Sequence, residues 1–198
     1  MNKYKDTQSL FKDLPDTVLL VGNGAMVDKG ELIDSYEFVI RFNDFKIDGY
    51  ESDVGTKVDA ISFHCSDFSF PHTEYMLPTF KKYVKKTQMF TTSPRYTNSR
   101  VSNILHIASN TKLFDVAYKY INEKGGRMSS GTSLALNLAI FFNKNVHLIG
   151  FDGYKSGHYY DPNFSAIIEA KLANINGPAH NSSYEFDILK NIKNIKNI

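Results

Sequence analysis

The chain has 198 residues, enough for one compact domain that buries its own core. Apolar residues make up 42% and charged residues 22%, ordinary values for a soluble globular protein, and a net charge of +2 gives no reason to expect a nucleic-acid partner. The opening MNKYKDTQSLFKDLPD has no apolar signal core, no run reaches the ~18 apolar residues of a membrane span, and the single cysteine, Cys65, rules out an intrachain disulfide. These features lead us to expect a cytoplasmic protein. Cys65, at the end of an apolar run in SFHCSDF, reads as an inert, half-buried thiol.

In chain order, residues 1–16 form an N-terminal extension. Thr17-Val-Leu-Leu-Val21 is apolar after its first residue and is followed at once by Gly22-Asn23-Gly24, which predicts a buried parallel strand ending in a tight turn. Similar runs predict strands at Phe38–Arg41, Asp59–Phe63, Gln88–Thr92, Ile104–Ile107 and Val146–Gly150. Helical periodicity spans Glu74–Lys86 and Thr111–Glu123, the latter stopped by Gly125-Gly126. Ser129–Phe142 is nearly all small and apolar, as a buried helix should be. A short helix is expected near Ala166–Leu172, and another begins near Ser182 and frays into the repeat NIKNIKNI at 191–198. Alternating strands and helices argue for an α/β fold, a single Rossmann-like domain over 1–198 with a mostly parallel twisted sheet flanked by helices.

In such a sheet, ligands bind beyond the carboxyl ends of the strands, and four polar clusters fall there. Gly22 and Gly24 would let backbone approach a ligand, or simply form a strand-to-helix turn, and Asn23 can both donate and accept. Arg41-Phe-Asn43-Asp44 follows a strand; Arg41 either pairs with a carboxylate such as Asp34 or Asp53 or faces a ligand, and Asn43 either contacts ligand or shapes a turn. Ser129, Ser130, Gly131 and Thr132 open the buried helix, where hydroxyls and backbone N–H groups cap the helix, bind an anion, or do both. The fourth cluster is His158-Tyr159-Tyr160-Asp161, then His180 with Glu185 five residues on, in a segment rich in Gly, Tyr, Asn and Asp. His64, His72, His106 and His147 read as structural or surface residues. The lysines 81, 82, 85 and 86 read as the solvated face of a helix, with peripheral membrane association as the other option.

Taken in order, these clusters resemble the four motifs of the eukaryotic-type sialyltransferase family. VLLVGNGAMVDKGELIDSYEFVIRFNDFKIDGYESDVGTK (18–57) is similar to the large motif, SSGTSLALNLAIFFNKNVHLIGFD to the small, HYYD (158–161) to the third, and HNSSYE (180–185) to the very small motif. The resemblance implies a sialyltransferase-type variant of the GT-A fold and a CMP-sugar donor, CMP-sialic acid foremost. It further implies a glycan or glycolipid acceptor and inverting displacement with no metal or other cofactor. Asn23 and Asn43 would hold the CMP part, and Ser129, Ser130 and Gly131 would meet its ribose, carboxylate or phosphate region. His158 would donate to the leaving phosphate, and His180 would be the general base. Gly22, Gly24, Arg41, Tyr159 and Glu185 would support the site. No Asp-x-Asp metal clamp occurs.

The chain departs from the family in lacking the cysteine pair of its secretory members, and it is shorter than typical catalytic domains. Ser130 stands where threonine is usual, and Gly24 where serine is usual. Three other readings remain open at this point: transfer of another CMP-linked keto-acid sugar such as Kdo, a CMP-binding module without catalysis, and a different α/β enzyme such as a methyltransferase, which would want an acidic residue after the second strand where Arg41 and Asn43 stand, with Asp44 adjacent. Linkage, acceptor and oligomeric state are not legible.

Overall fold

The computed structural model describes residues 7–63, 79, 82–83, 88–91, 104–106, 128–153, 155, 157–163 and 182–198. In chain order the elements are α1 (Thr7–Asp13), β1 (Thr17–Val21), α2 (Gly30–Asp34), β2 (Val39–Phe42), α3 (Glu51–Val54), β3 (Ala60–Phe63), β4 (Gln88–Thr91) and β5 (Ile104–His106). They continue with α4 (Ser130–Leu136), which runs into a wider π-turn at Asn137–Phe141, then β6 (Asn145–Ile149), α5 (Ser182–Lys190) and β7 (Ile195–Asn197). Among the described residues, seven strands form one sheet in the order β5-β4-β3-β2-β1-β6-β7. Every pairing is parallel, with Leu20 beside Ile40 and Leu148, and Ile40 beside Ala60.

β1 is central and covered on both sides, which is why its sequence is apolar at successive positions rather than alternating. Val18 and Leu20 face one core with Leu10 and Phe11 of α1, Leu134 and Leu138 of the α4 segment, and Leu189 of α5. Leu19 and Val21 face the other, with Ile33 of α2 and Val54 of α3. Each fully buried leucine here contributes about 1.5–3 kcal/mol relative to exposure. The expected strands all form, shifted by a residue at some ends, and the helix expected at Ser129–Phe142 is the α4 segment. His147 lies in β6 as read, and its Nδ1 meets the Tyr36 hydroxyl at 2.6 Å. Thr79, Lys82 and Tyr83 are helical, as the periodicity over 74–86 predicts. The helices expected at Thr111–Glu123 and Ala166–Leu172 lie outside the described residues, as do Cys65, His64 and His72.

The two chain ends differ from expectation. The N-terminal extension carries α1, whose Leu10 and Phe11 are core residues together with Leu14 just beyond the helix, and the buried Lys144 Nζ donates to the Leu14 carbonyl. The tail at 191–198 does not fray: Ile195–Asn197 adds β7 beside β6, with Val146 N–H bonded to Asn194 O at 2.7 Å and Ile198 N–H to Leu148 O at 3.0 Å. A three-residue repeat explains this. In an extended strand an odd spacing places successive isoleucines on opposite faces, so Ile195 packs on one core and Ile198 on the other.

Deleting residues 195–198 should therefore lower stability by about 1–3 kcal/mol through lost ladder bonds and apolar burial. Urea unfolding followed by circular dichroism would show it; an unchanged midpoint would mean β7 adds nothing to the fold.

Candidate active site

Strand order changes direction at β1, which has β2 on one side and β6 on the other. The crevice beyond the carboxyl ends of β1 and β6 is where such a sheet takes its ligand. The turns after these strands touch: Gly22 N–H donates to Ile149 O at 2.8 Å and Gly24 N–H to Gly150 O at 2.9 Å. A Cβ on Gly22 would lie 2.4 Å from Gly150 O, and one on Gly24 2.7 Å from it. Both glycines are thus required where two backbones meet.

Asn23, between them, is pinned. Its Nδ2 donates to Phe42 O at 3.3 Å and Asp44 O at 3.0 Å, tying the turn after β1 to the turn after β2. Facing two carbonyls, that side-chain atom must be the nitrogen. The Oδ1 is buried without a hydrogen-bond partner. Asn43 lies between the two carbonyls that Asn23 holds, at φ +51°, a left-handed conformation that asparagine tolerates better than most residues.

The third motif fastens onto the same turn. His158 and Asp161 exchange backbone hydrogen bonds of 3.1 and 3.0 Å, and Tyr159 N–H donates to Asn23 O at 2.9 Å. The Tyr159 hydroxyl accepts from Lys46 N–H at 2.8 Å and donates to the Lys46 carbonyl. The Tyr160 hydroxyl donates to Asp44 O at 2.6 Å, and Lys46 Nζ sits 5.0 Å from the centre of its ring. Burial pushes the Tyr159 hydroxyl up to about 12 and raises Tyr160 further, so both stay protonated donors. Burial also raises the Asp44 carboxyl, against the Thr79 hydroxyl that donates to it and the Lys46 charge.

Arg41 does not ion-pair with Asp34 or Asp53. It is 1% exposed, and its Nε donates to Lys57 O at 2.9 Å and its Nη2 to Val54 O at 2.6 Å and Gly55 O at 3.3 Å. Asp34 takes the amides of the same segment, Thr56 N–H and Lys57 N–H, each at 2.8 Å. Burial would raise the Asp34 carboxyl, but these bonds and the Arg41 charge leave it below its usual value.

Across the crevice, Ser129 caps α4 by accepting Thr132 N–H at 3.2 Å. The carboxylate of Glu185, from α5, accepts Ser129 N–H at 3.1 Å, Thr132 Oγ1–H at 2.6 Å and the Ser129 hydroxyl. Both polar groups of Ser129 are therefore engaged inside the protein. Gly131 has the Phe151 ring where a side chain would be, 2.4 Å from an added Cβ. Ser130 is half-buried beside them. His180 lies outside the described residues, two positions ahead of α5. Among the described residues, no group of three or more His, Cys, Asp or Glu could hold a metal ion, and no helix is long and apolar enough to cross a membrane.

The family model of glycosyltransferase family 29 (sialyltransferase) matches residues 17–197. The chain belongs to glycosyltransferase family 29. No curated protein matches it. Among solved structures it is similar to the apo α-2,3-sialyltransferase from Campylobacter jejuni, at 15% identity over 92% of this chain and 74% of that one, with a TM-score of 0.57. It is also similar to CstII from Campylobacter jejuni in complex with the substrate analogue CMP-3FNeuAc, at 17% identity over 91% and 80%, with a TM-score of 0.55. A mammalian sialyltransferase in complex with Gal-beta-1-3GalNAc-ortho-nitrophenol aligns at 20% identity over 92% and 68%, with a TM-score of 0.44. At these identities the first two establish a shared fold.

As a family 29 glycosyltransferase, the protein brings its large and third motifs together at the turn after β2, and its small and very small motifs together at Glu185. Sequence reasoning placed Tyr160 and Thr132 in the polar clusters without giving either a role of its own, and it did not mention Ser62. Tyr160 and Thr132 sit inside the motifs that carried the resemblance, and Ser62 is the one polar residue within β3 (AISF).

Two outcomes follow from this geometry. Glu185→Ala strands buried donors and should cost about 1.5–3 kcal/mol in urea unfolding, with Glu185→Gln intermediate; equal stability of all three forms would mean the cap is dispensable. Burial lowers the His158 imidazole from 6.5 to about 4, against the charges of Asp161 and Asp152. The unfolded chain then binds the extra proton, so this contribution is complete above about pH 6.5 and is lost as pH falls toward 4. His158→Gln should flatten the fall in melting temperature across that window, and an unchanged pH profile would refute the assignment.

Proposed function

We propose that this family 29 enzyme transfers sialic acid from CMP-sialic acid to a hydroxyl of a glycan or glycolipid acceptor, with inversion and without a metal. The supporting observation is that the motifs come together in two linked groups: the turns after β1 and β2 with His158–Tyr160 after β6, and the Glu185-capped start of α4, whose Gly131 packs on Phe151 just after β6. In this reading Asn23 and Asn43 hold the nucleotide, and Ser130 and Gly131 face its ribose or phosphate, with Ser129 anchored behind them by Glu185. Buried, positively charged Arg41 lies beneath the same turn and favours an anionic donor.

The reaction needs one proton removed and one leaving group stabilised. His180 takes the proton of the acceptor hydroxyl, whose oxygen attacks the anomeric carbon from the face opposite CMP. The bond from that carbon to the phosphate oxygen breaks, and its electron pair leaves with CMP. His158 is neutral near pH 7, since burial holds it at about 4. It therefore serves as a hydrogen-bond donor to the phosphate rather than as a standing cation, and growing negative charge on that phosphate raises its affinity for a proton. Glu185 is a positioning residue: it fixes the start of α5, and with it the chain just after His180, to the cap of α4.

Binding of CMP, UMP, GMP, AMP and S-adenosylhomocysteine in EDTA should show selectivity for CMP. His180→Ala should then reduce transfer by about 10²–10⁴-fold while leaving CMP affinity nearly intact, whereas Asn43→Ala should weaken CMP binding. Full turnover in His180→Ala, or no preference for CMP, would overturn the corresponding part.

A further inference from the structure

β3 places Ser62 in register with Phe42 of β2 and Phe90 of β4. Ser62 is 0% exposed, and its Oγ has no hydrogen-bond partner. An alanine would fill the same space, and a buried polar group left unsatisfied costs about 1–3 kcal/mol. Its backbone is committed differently: the Ser62 carbonyl accepts Asn43 N–H at 3.0 Å. The buried Oδ1 of Asn23 is also without a partner, and the same side chain holds the carbonyls on either side of Asn43. The turn at left-handed Asn43, at the end of β2, is thus hydrogen-bonded to two residues, Asn23 after β1 and Ser62 in β3, that each keep one unsatisfied buried polar atom.

Their chemistry restricts the ligand. The Asn23 amide nitrogen is used on two carbonyls, so only an acceptor oxygen remains, and an acceptor cannot bind an ionised phosphate or carboxylate. It takes an O–H or N–H. The Ser62 hydroxyl can give or accept, so the pair suits a neutral group with both capacities.

We propose that Ser62 contacts ligand and, with Asn23 Oδ1, forms a neutral hydrogen-bonding subsite for the nucleoside part of the donor, separate from the residues that meet its phosphate. The inference rests on the nucleotide-donor reading above. The matching group is an O–H or N–H donor, either a ribose hydroxyl or the exocyclic amine of cytosine.

Calorimetry of wild type and Ser62→Ala with CMP, 2′-deoxy-CMP, 3′-deoxy-CMP and UMP, alongside melting curves, tests this. Ser62→Ala should melt at the same or a higher temperature, because an unsatisfied hydroxyl has been removed, yet bind CMP about 5- to 100-fold more weakly. The analogue lacking the contacted group should bind wild type poorly and be little affected by the substitution, a coupling that a merely structural serine would not produce. Loss of a deoxy analogue identifies ribose, and loss of UMP identifies the base. Ser62→Cys, similar in size and a weaker hydrogen-bonder, should fall between. Unchanged CMP affinity in Ser62→Ala, or equal weakening towards every nucleotide, overturns the subsite alone. Failure of wild type to bind CMP instead overturns the donor reading on which it stands.

Discussion

The carbonyl of Asp44 receives two hydrogen bonds, one from Asn23 Nδ2 and one from the Tyr160 hydroxyl. Through them the turn after β2 is fixed at once to the turn after β1 and to the loop after β6. Those three segments are far apart in sequence, and ladder bonds alone would leave their tips independent. The side-chain bonds convert three strand ends into one rigid edge. Tyr159 adds a further clasp on Lys46, and the Asn23 carbonyl returns the contact by accepting Tyr159 N–H. A positive φ at Asn43 is tolerable in this setting because the carbonyls of Phe42 before it and Asp44 after it are held from outside.

Glu185 supplies the second fixed point, and it changes what the opening of α4 can do. Hydroxyls and free amides at the start of a helix suggest an anion site. Here a carboxylate of the protein itself already accepts Ser129 N–H and the Ser129 and Thr132 hydroxyls. A donor phosphate cannot share those atoms with a buried carboxylate, because two like charges at that separation repel strongly in a low dielectric. In the proposed reading, charge on the donor phosphate would therefore be met from Ser130 and from the His158 side of the crevice. On that reading the capping carboxylate would constrain substrate position, while its bonds to Ser129 and Thr132 brace α5 against α4.

Legibility followed how local the cause was. β1 could be read because five residues bounded by a glycine turn carry the whole signal, and α4 because small apolar residues run on without interruption. α2 and α3 were not legible: they span five and four residues, and α2 packs through Gly30, where an added Cβ would lie 2.3 Å from Glu51 O. Such a fit depends on a segment some twenty positions away and leaves no periodicity. β7 was hidden by its repeat, which matches neither a helical nor an alternating pattern until β6 is known to have an open side. The four motifs were visible by resemblance, but the link from Glu185 to Ser129 crosses 56 positions. The vacancy at Ser62 Oγ is a statement about every neighbour at once, and no single stretch of sequence contains it.

Arg41 shows why residue type can be read more easily than partner. A cation here was expected either to pair with a carboxylate or to face a ligand, and Asp34 is close enough to influence it. Yet the guanidinium donates to three carbonyls of the Val54–Lys57 segment while Asp34 takes the amides of the same segment. One peptide stretch is held from both sides, and the two charges act through it rather than cancelling by contact. Lysine could not reproduce this, since a single ammonium lacks the planar fork that reaches carbonyls from two different nitrogens. The arrangement leaves Nη1 unsatisfied and the positive charge without a direct counter-ion. Burying such a charge is unfavourable by several kcal/mol unless something nearby balances it. The turn above Arg41 is the one that Asn23, Tyr159 and Tyr160 hold rigid. An anionic ligand over that turn would supply the missing balance without touching the arginine, and would bind a surface that the same arginine keeps in shape.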